Sequence, residues 1–214
     1  MNPCINSLTF VSRNPLMLKK LHNIILELLK ANQCGIYDLM TKHGYTKRDL
    51  AILVDKRDYI NDVDTVITAK RNVFYFTMES ISAWVPNLLP IVTLLKEKYA
   101  NKIKLVSQSS EEGNRLYHTN DISGMFYPQR FKVDFCLNGD YETEFFCNWL
   151  DMITYLENHF EKADINAFYS ISELEEAIDE AYDSDDEYFL TINMYTPYDD
   201  GESYSDYNKG LEVA

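Results

Sequence analysis

The residues best suited to chemistry lie in a polar stretch between positions 109 and 130. This stretch contains carboxylates, amides, a histidine and an arginine, which are the side chains that acid–base catalysis or ligand binding uses at the rim of a pocket. A carboxylate and an indole join them from an earlier segment, where a predicted strand leads into a helix. The candidate binding cluster comprises Glu79, Trp84, Glu111, Glu112, Asn114, His118, Asn120, Asp121 and Arg130.

The same residues also suit turns, which is the alternative interpretation of the cluster. Glu-Gly-Asn at 112–114 and Asn-Asp at 120–121 are typical turn sequences. The stretch offers no nucleophile with a paired base, and the chain has no phosphate-binding glycine loop, no Gly-x-Ser-x-Gly elbow and no His-Glu-x-x-His helix. The catalytic residues therefore stay unassigned. An enzyme would need at least two of Glu79, Glu111, His118, Asp121 and Arg130 within hydrogen-bond reach in one cleft.

The cysteines and histidines do not indicate a metal site. The four cysteines form no Cys-x-x-Cys pair, the four histidines lack ligand spacing, and the acidic runs lack the spacing of a calcium-binding loop. We therefore expect no metal and no cofactor. The N-terminal residues lack the features of a signal peptide and no window resembles a membrane span, so we expect a cytoplasmic protein with reduced thiols and no membrane partner.

The formal net charge of −14 is concentrated near the C-terminus. Residues 171–214 contain fourteen acidic side chains and one basic side chain, so the preceding residues are nearly neutral. We expect 197–214 to be a disordered acidic tail. One hypothesis is that these carboxylates imitate phosphates and occupy a nucleic-acid-binding partner, and a solvated tail is the alternative. The acidic surface comprises Asp183, Asp185, Asp186, Glu187, Asp199, Asp200 and Glu202.

Hydrophobic patterning predicts the order strand, helix, helical insertion, two strands, helix, strand over residues 1–137. This is the split β-α-β-β-α-β order, so we predict an α+β, ferredoxin-like antiparallel sheet with a helical insertion at about 36–56. A hairpin at Asn138-Gly139, two helices and a last strand predict an extension over 138–196 that packs on the same core. A capping box of Ser172 and Glu175 is expected to open the second of these helices.

The helical insertion also permits a helix-turn-helix interpretation. Its local positive charge comes from Lys42, Lys47, Arg48, Lys56 and Arg57. An ordinary insertion with a solvated basic face is preferred, because the acidic composition of the chain argues against direct nucleic-acid binding.

Three motifs carry a resemblance to a known family. They are Cys4-x-Asn6-x-Leu8-x-Phe10, then Thr77-x-Glu79 leading into Ala83-Trp84-x-Pro86, and the run Glu111-Glu112-Gly113-Asn114, Thr119-Asn120-Asp121, Gly124 and Tyr127-Pro128-x-Arg130-Phe131. Over about 2–134 the chain resembles the YubB-like proteins, a bacterial family encoded on conjugative plasmids, pathogenicity islands, prophages and related mobile elements. It departs from the family where the usual Glu-Pro-Gly is Glu111-Glu112-Gly113. The resemblance implies a ferredoxin-like domain and a mobile-element setting, but no reaction, cofactor or substrate.

The leading hypothesis is a non-enzymatic accessory protein that acts by binding another protein, in a counter-defence or host-modulating role. A sheet with helices on one side leaves a face or an edge for a partner, and sixteen tyrosines suit an interface. The identity of the partner stays open, and a homodimer is one alternative.

Overall fold

The computed structural model describes residues 2–137, 139–167, 169–182 and 188–196, and the fold is α+β. The chain divides into two compact units between Ile122 and Ser123. The sequence predicts a boundary at 137 and one shared core. Each unit instead has a hydrophobic cluster of its own, because the strand over Phe131–Leu137 pairs only with later strands among the described residues. No helix in the described ranges has the length and apolar character needed to cross a membrane.

The first unit confirms the predicted split order. The elements are β1 (Pro3–Ser12), α1 (Pro15–Lys30), α2 (Ile36–Lys42), α3 (Lys47–Leu53), β2 (Tyr59–Val63), β3 (Thr68–Lys70), β4 (Val73–Ala83), α4 (Leu89–Tyr99), β5 (Lys104–Glu111) and β6 (Leu116–Thr119). The strands form one antiparallel sheet in the order β2-β4-β1-β5-β6, and β3 pairs with the first residues of β4.

The helices α1 and α3 of this unit begin directly after residues whose side chains cap them. The Oδ1 atom of Asn14 accepts hydrogen bonds from the backbone N–H groups of Leu16 and Met17, both at 3.1 Å, and Pro15 opens α1. In the insertion, α2 and α3 are joined through Gly44 at φ +84°, and Thr46 caps α3. The predicted helical insertion is therefore confirmed.

One side of the sheet packs against the helices and is called the helix side here. Leu8 and Phe10 of β1 lie on it, and the ring of Phe10 stacks on that of Phe76 with centroids 4.9 Å apart. Both phenylalanines are fully buried, and each such side chain contributes about 1.5–3 kcal/mol to stability. Residues that alternate with these belong to the second side of the sheet.

The described residues of the second unit form a three-stranded antiparallel sheet and two helices. The elements are β7 (Phe131–Leu137), β8 (Asp140–Phe146), α5 (Trp149–His159), α6 (Ile171–Tyr182) and β9 (Phe189–Met194). The strand order is β8-β7-β9, and the predicted hairpin is confirmed by the pairing of β7 with β8 and by Gly139 at φ +84°. Val133 and Phe135 on β7 pack with α5 and α6 in a separate core.

The capping box of α6 lies two residues earlier than predicted. The backbone N–H of Ser170 donates to Glu173 Oε2 at 2.6 Å, and the N–H of Glu173 donates to Ser170 Oγ at 3.3 Å. The prediction of Ser172 and Glu175 is therefore wrong. Glu175 has another partner, because its Oε1 atom accepts a hydrogen bond from the N–H of Ile192 at 2.8 Å.

Candidate functional site

The candidate site lies at one end of the first unit's sheet, where β1 begins and where β4 and β5 end. Pro3 stands opposite Ala83, and the backbone N–H of Trp84 donates to the carbonyl oxygen of Asn2 at 3.1 Å. A pocket of about 320 Å³ opens here. It is lined by Asn2, Pro3, Ile5, Ser110, Glu111, Glu112 and Gly113. Of the predicted cluster, Trp84, Glu111, Glu112 and Asn114 belong to this end of the sheet.

Glu111 closes the turn between β5 and β6. Its Oε1 atom accepts a hydrogen bond from the N–H of Gly113 at 3.0 Å, and its Oε2 atom accepts one from the N–H of Asn114 at 2.7 Å. A Cβ atom on Gly113 would lie 1.9 Å from Nδ2 of Asn2, so a larger residue at this position would require the Asn2 side chain to move. The carboxylate is 1% exposed and holds two backbone donors. Its observed contacts are therefore those of the turn interpretation.

A buried polar network occupies the helix side at this end. Asn6 Nδ2 donates to Ser82 Oγ at 3.1 Å, and Ser82 Oγ donates to the carbonyl oxygen of Val85 at 2.8 Å. Burial raises the pKa of the Cys4 thiol to about 11. A hydrogen bond with Ser82 lowers this pKa, and the charge of Glu111 raises it. Cys4 is therefore protonated at neutral pH and is a poor nucleophile. The network instead fixes the segment after β4 that carries Trp84.

Asn120 continues the hydrogen bonding of β5 beyond the end of β6. Its Oδ1 atom accepts from the N–H of Ser107 at 2.7 Å, and its Nδ2 atom donates to the carbonyl oxygen of Leu105 at 3.1 Å. The residue is 6% exposed, so it satisfies two buried backbone groups. The N–H of Asp121 donates to Thr119 Oγ1 at 3.1 Å. His118 stands opposite Ser109 and therefore lies on the helix side.

The structure does not bring together the two predicted carboxylates Glu79 and Glu111. Glu79 stands opposite Ser7 on the second side of the sheet and accepts a hydrogen bond from Asn61 Nδ2, whereas Glu111 lies on the helix side. Arg130 belongs to the second unit, where its Nη1 atom donates to the carbonyl oxygen of Tyr127 at 2.8 Å. The acidic surface residues 183, 185–187, 199, 200 and 202 lie outside the described residues.

Sequence reasoning missed an apolar row on the second side of the sheet. Tyr59, Ile81 and Ile5 stand opposite one another on three adjacent strands, and Tyr59 and Ile5 are 41% and 43% exposed. The indole of Trp84 is 44% exposed, and its backbone has φ +69°. That conformation is strained for a bulky residue. We call these four residues the apolar end. The sequence signal that could have found it is the alternation of apolar and polar residues along each strand, once the pairing register is known.

The charged groups near the site form no metal centre in the described ranges, where no group of three or more His, Cys, Asp or Glu side chains is placed to hold an ion. Comparison of the chain with models of known protein families and with curated proteins returned no match. The resemblance to the YubB-like family therefore stays a prediction.

Proposed function

We propose that this chain is a non-enzymatic binding protein that docks another protein on the apolar end. The observation that carries the proposal is the row of Tyr59, Ile81 and Ile5 with the strained, exposed Trp84 beside it. Exposed apolar patches with a polar rim mark interaction surfaces, and tryptophan and tyrosine are the residue types that dominate interface energies.

The surroundings of the apolar end resemble the rim of an interface. The next row of the sheet is polar and contains Ser7, Glu79 and Gln108. Farther along β1 and β5, Thr9 and Val106 of the second side are buried, so the exposed apolar side chain of these two strands on this side is Ile5. Among the described residues that line the pocket beside Ile5, Glu112 is an exposed acidic residue and none is basic. A partner that inserts an apolar side chain and places a cation against Glu112 would complement it.

The resemblance to proteins of mobile elements supports a bacterial, cytoplasmic setting for this proposal. In that setting the partner is a host or defence protein, and the accessory role is counter-defence or host modulation. The mimicry hypothesis depends on carboxylates outside the described residues and stays a prediction. The enzyme alternative gains no support from Glu79 and Glu111, because they lie on opposite sides of the sheet.

Site-specific photo-cross-linking tests this proposal with the full chain. A benzoylphenylalanine is placed at position 59 in the apolar end, and a matched control is placed at Leu16, which is 78% exposed on α1 of the same unit. Both proteins are irradiated in bacterial lysate, and adducts are identified by mass spectrometry. A protein captured from position 59 and not from position 16 is then purified and titrated against the chain.

We expect the double substitution of Ile5→Ser and Tyr59→Ser to weaken this purified complex by a factor of about 30 or more, because truncating buried interface anchors costs about 2 kcal/mol or more. Leu16→Ser should leave the Kd unchanged. Equal adducts from both positions, or a Kd that the double substitution does not change, would refute docking on the apolar end.

A further inference from the structure

Strand β8 is an edge of the second unit's sheet with an intact pairing geometry. It pairs with β7 over seven consecutive residues without a register shift, and within the described ranges nothing pairs with its other side. Residues 140–145 are all exposed. Natural proteins usually shorten, bulge or interrupt such an edge with proline, because its free N–H and C=O groups can accept another strand. β8 has none of these interruptions.

The two faces of β8 differ in chemistry. Asp140, Glu142 and Glu144 stand opposite Leu137, Phe135 and Val133, on the side of the sheet that packs against the helices. The alternate residues Tyr141 and Phe145 face the other way and are 65% and 48% exposed. The strand has no basic side chain.

The aromatic face of β8 continues across the sheet. The ring of Tyr141 lies 5.3 Å from that of Phe189 on β9, with Cys136 of β7 opposite both residues. On the acidic face, Glu142 accepts a hydrogen bond from the hydroxyl of Tyr155 at 3.1 Å. Acidic residues alone would discourage aggregation, but that role does not require exposed aromatic side chains on the same edge.

We propose that β8 binds an extended segment of a partner protein by strand addition, and that this segment alternates basic with apolar residues. Its backbone completes the free edge of β8, its basic residues face Asp140, Glu142 and Glu144, and its apolar residues pack on Tyr141 and Phe145. This surface lies in the second unit, so the inference does not depend on the apolar end.

The acidic side chains of β8 favour this basic segment over two other candidates, a second copy of the chain and residues 197–214. A second copy joined to β8 in antiparallel fashion would bring the acidic faces of the two strands together, and like charges directly opposite one another are destabilising. Residues 197–214 of the same chain contain five acidic side chains and Lys209 as the one basic side chain, so they are repelled in the same way. The acidic face thus disfavours self-association and favours a basic partner.

The probe is a fluorescein-labelled nine-residue peptide that alternates lysine and valine, titrated into the full chain and followed by fluorescence anisotropy. We expect saturable binding that weakens as salt is raised. The double substitution of Asp140→Asn and Glu144→Gln should weaken it about three- to tenfold, because each exposed charge pair contributes modestly. Neither Asp140 nor Glu144 accepts a side-chain hydrogen bond from the described residues, so the two substitutions should leave the fold intact.

Matched controls separate strand addition from simple attraction between charges. Glu176→Gln with Glu180→Gln removes two exposed charges from α6 and should leave the affinity unchanged. The same peptide with three consecutive N-methylated central residues keeps its charges but loses backbone donors, and it should not bind. Hydrogen exchange of the bound chain should show new protection at residues 140–146.

Four results would overturn the inference. The first two are equal binding of the N-methylated peptide and an equal loss of affinity in the α6 control variant. The third is sedimentation of the free chain as a dimer that Asp140→Asn and Glu144→Gln strengthen, which would assign the edge to a second copy. The fourth is a loss of peptide binding in an Ile5→Ser and Tyr59→Ser variant, which would place the peptide on the apolar end instead.

Discussion

Replacing Asn120 by alanine tests whether the predicted polar cluster is structural at this position. The amide of Asn120 satisfies the N–H of Ser107 and the carbonyl oxygen of Leu105, and its side chain is buried. The substitution leaves both backbone groups without this partner. Each unsatisfied buried group costs about 1–3 kcal/mol, so we expect the free energy of unfolding to fall by about 2–5 kcal/mol. This is a large share of the about 5–15 kcal/mol that stabilises a typical domain.

Urea unfolding and hydrogen exchange measure this loss. A fall of about 3 kcal/mol moves the urea midpoint of the first unit down by about 1–3 M. The N–H of Ser107 should exchange faster in the variant, because it loses its acceptor. Asn114→Ala is the matched control, since Asn114 is exposed and only its backbone N–H takes part in the turn. We expect this control to change stability by less than about 0.5 kcal/mol.

A second substitution at position 120 should make the stability of the variant depend on pH. Asn120→Asp keeps an acceptor for the N–H of Ser107 but places a charged oxygen against the carbonyl of Leu105. Burial and this carbonyl should raise the pKa of the introduced carboxyl, so the lost stability returns as the pH falls and the carboxyl is protonated. An Asn120→Ala variant as stable as the wild type, or an Asn120→Asp variant with no pH dependence of its own, would refute the structural role.

Three further predictions concern single side chains. Burial lowers the pKa of His43, and the charges of Lys20 and Lys98 act in the same direction. The unfolded chain therefore binds the proton more readily, and the stability of the fold should decrease as the pH drops below about 6.5. Urea titrations at pH 7.5 and 5.5 should show a smaller decrease in stability for His43→Asn than for the wild type. Ellman's reagent should modify the exposed Cys147 in the native chain and reach the buried Cys4, whose pKa burial raises to about 11, only on unfolding. Trp84→Gly should melt at a higher temperature than Trp84→Ala, by the equivalent of about 1 kcal/mol, because glycine relieves the positive φ; equal melting temperatures would contradict the strain.

The sequence predicts the helices well because their signals are local. Asn14 and Pro15 mark the start of α1, and the apolar spacing that follows gives its buried face. The α6 boundary shows the limit of such signals. Ser170 with Glu173 and Ser172 with Glu175 fit the same capping pattern, and the pattern alone does not choose between them. The hydrogen bond from Ile192 to Glu175 occupies the second glutamate, and that partner lies 17 residues away.

The sequence predicts the first half of β5 but neither its second half nor β6, because the residues after Ser107 are polar. Ser107, Ser109 and Glu111 lie on the helix side and are buried, a position in which alternation usually places apolar side chains. Their polarity is satisfied by groups distant in sequence: Asn120 binds the N–H of Ser107, and Glu111 binds the turn. The polar stretch that the sequence assigns to turns therefore begins with a strand pair.

The candidate site depends on strand register, which no local pattern fixes. Successive side chains of a strand alternate between the sides of a sheet, so a shift of one residue exchanges its two faces. If β4 were shifted by one residue against β1, Glu79 would move to the helix side with Glu111, and Ile81 would leave the row of Ile5 and Tyr59. The register that separates the two carboxylates is thus the one that assembles the apolar end. Pairing of acids and docking through apolar side chains are alternatives that the sequence leaves open, and the observed register favours docking.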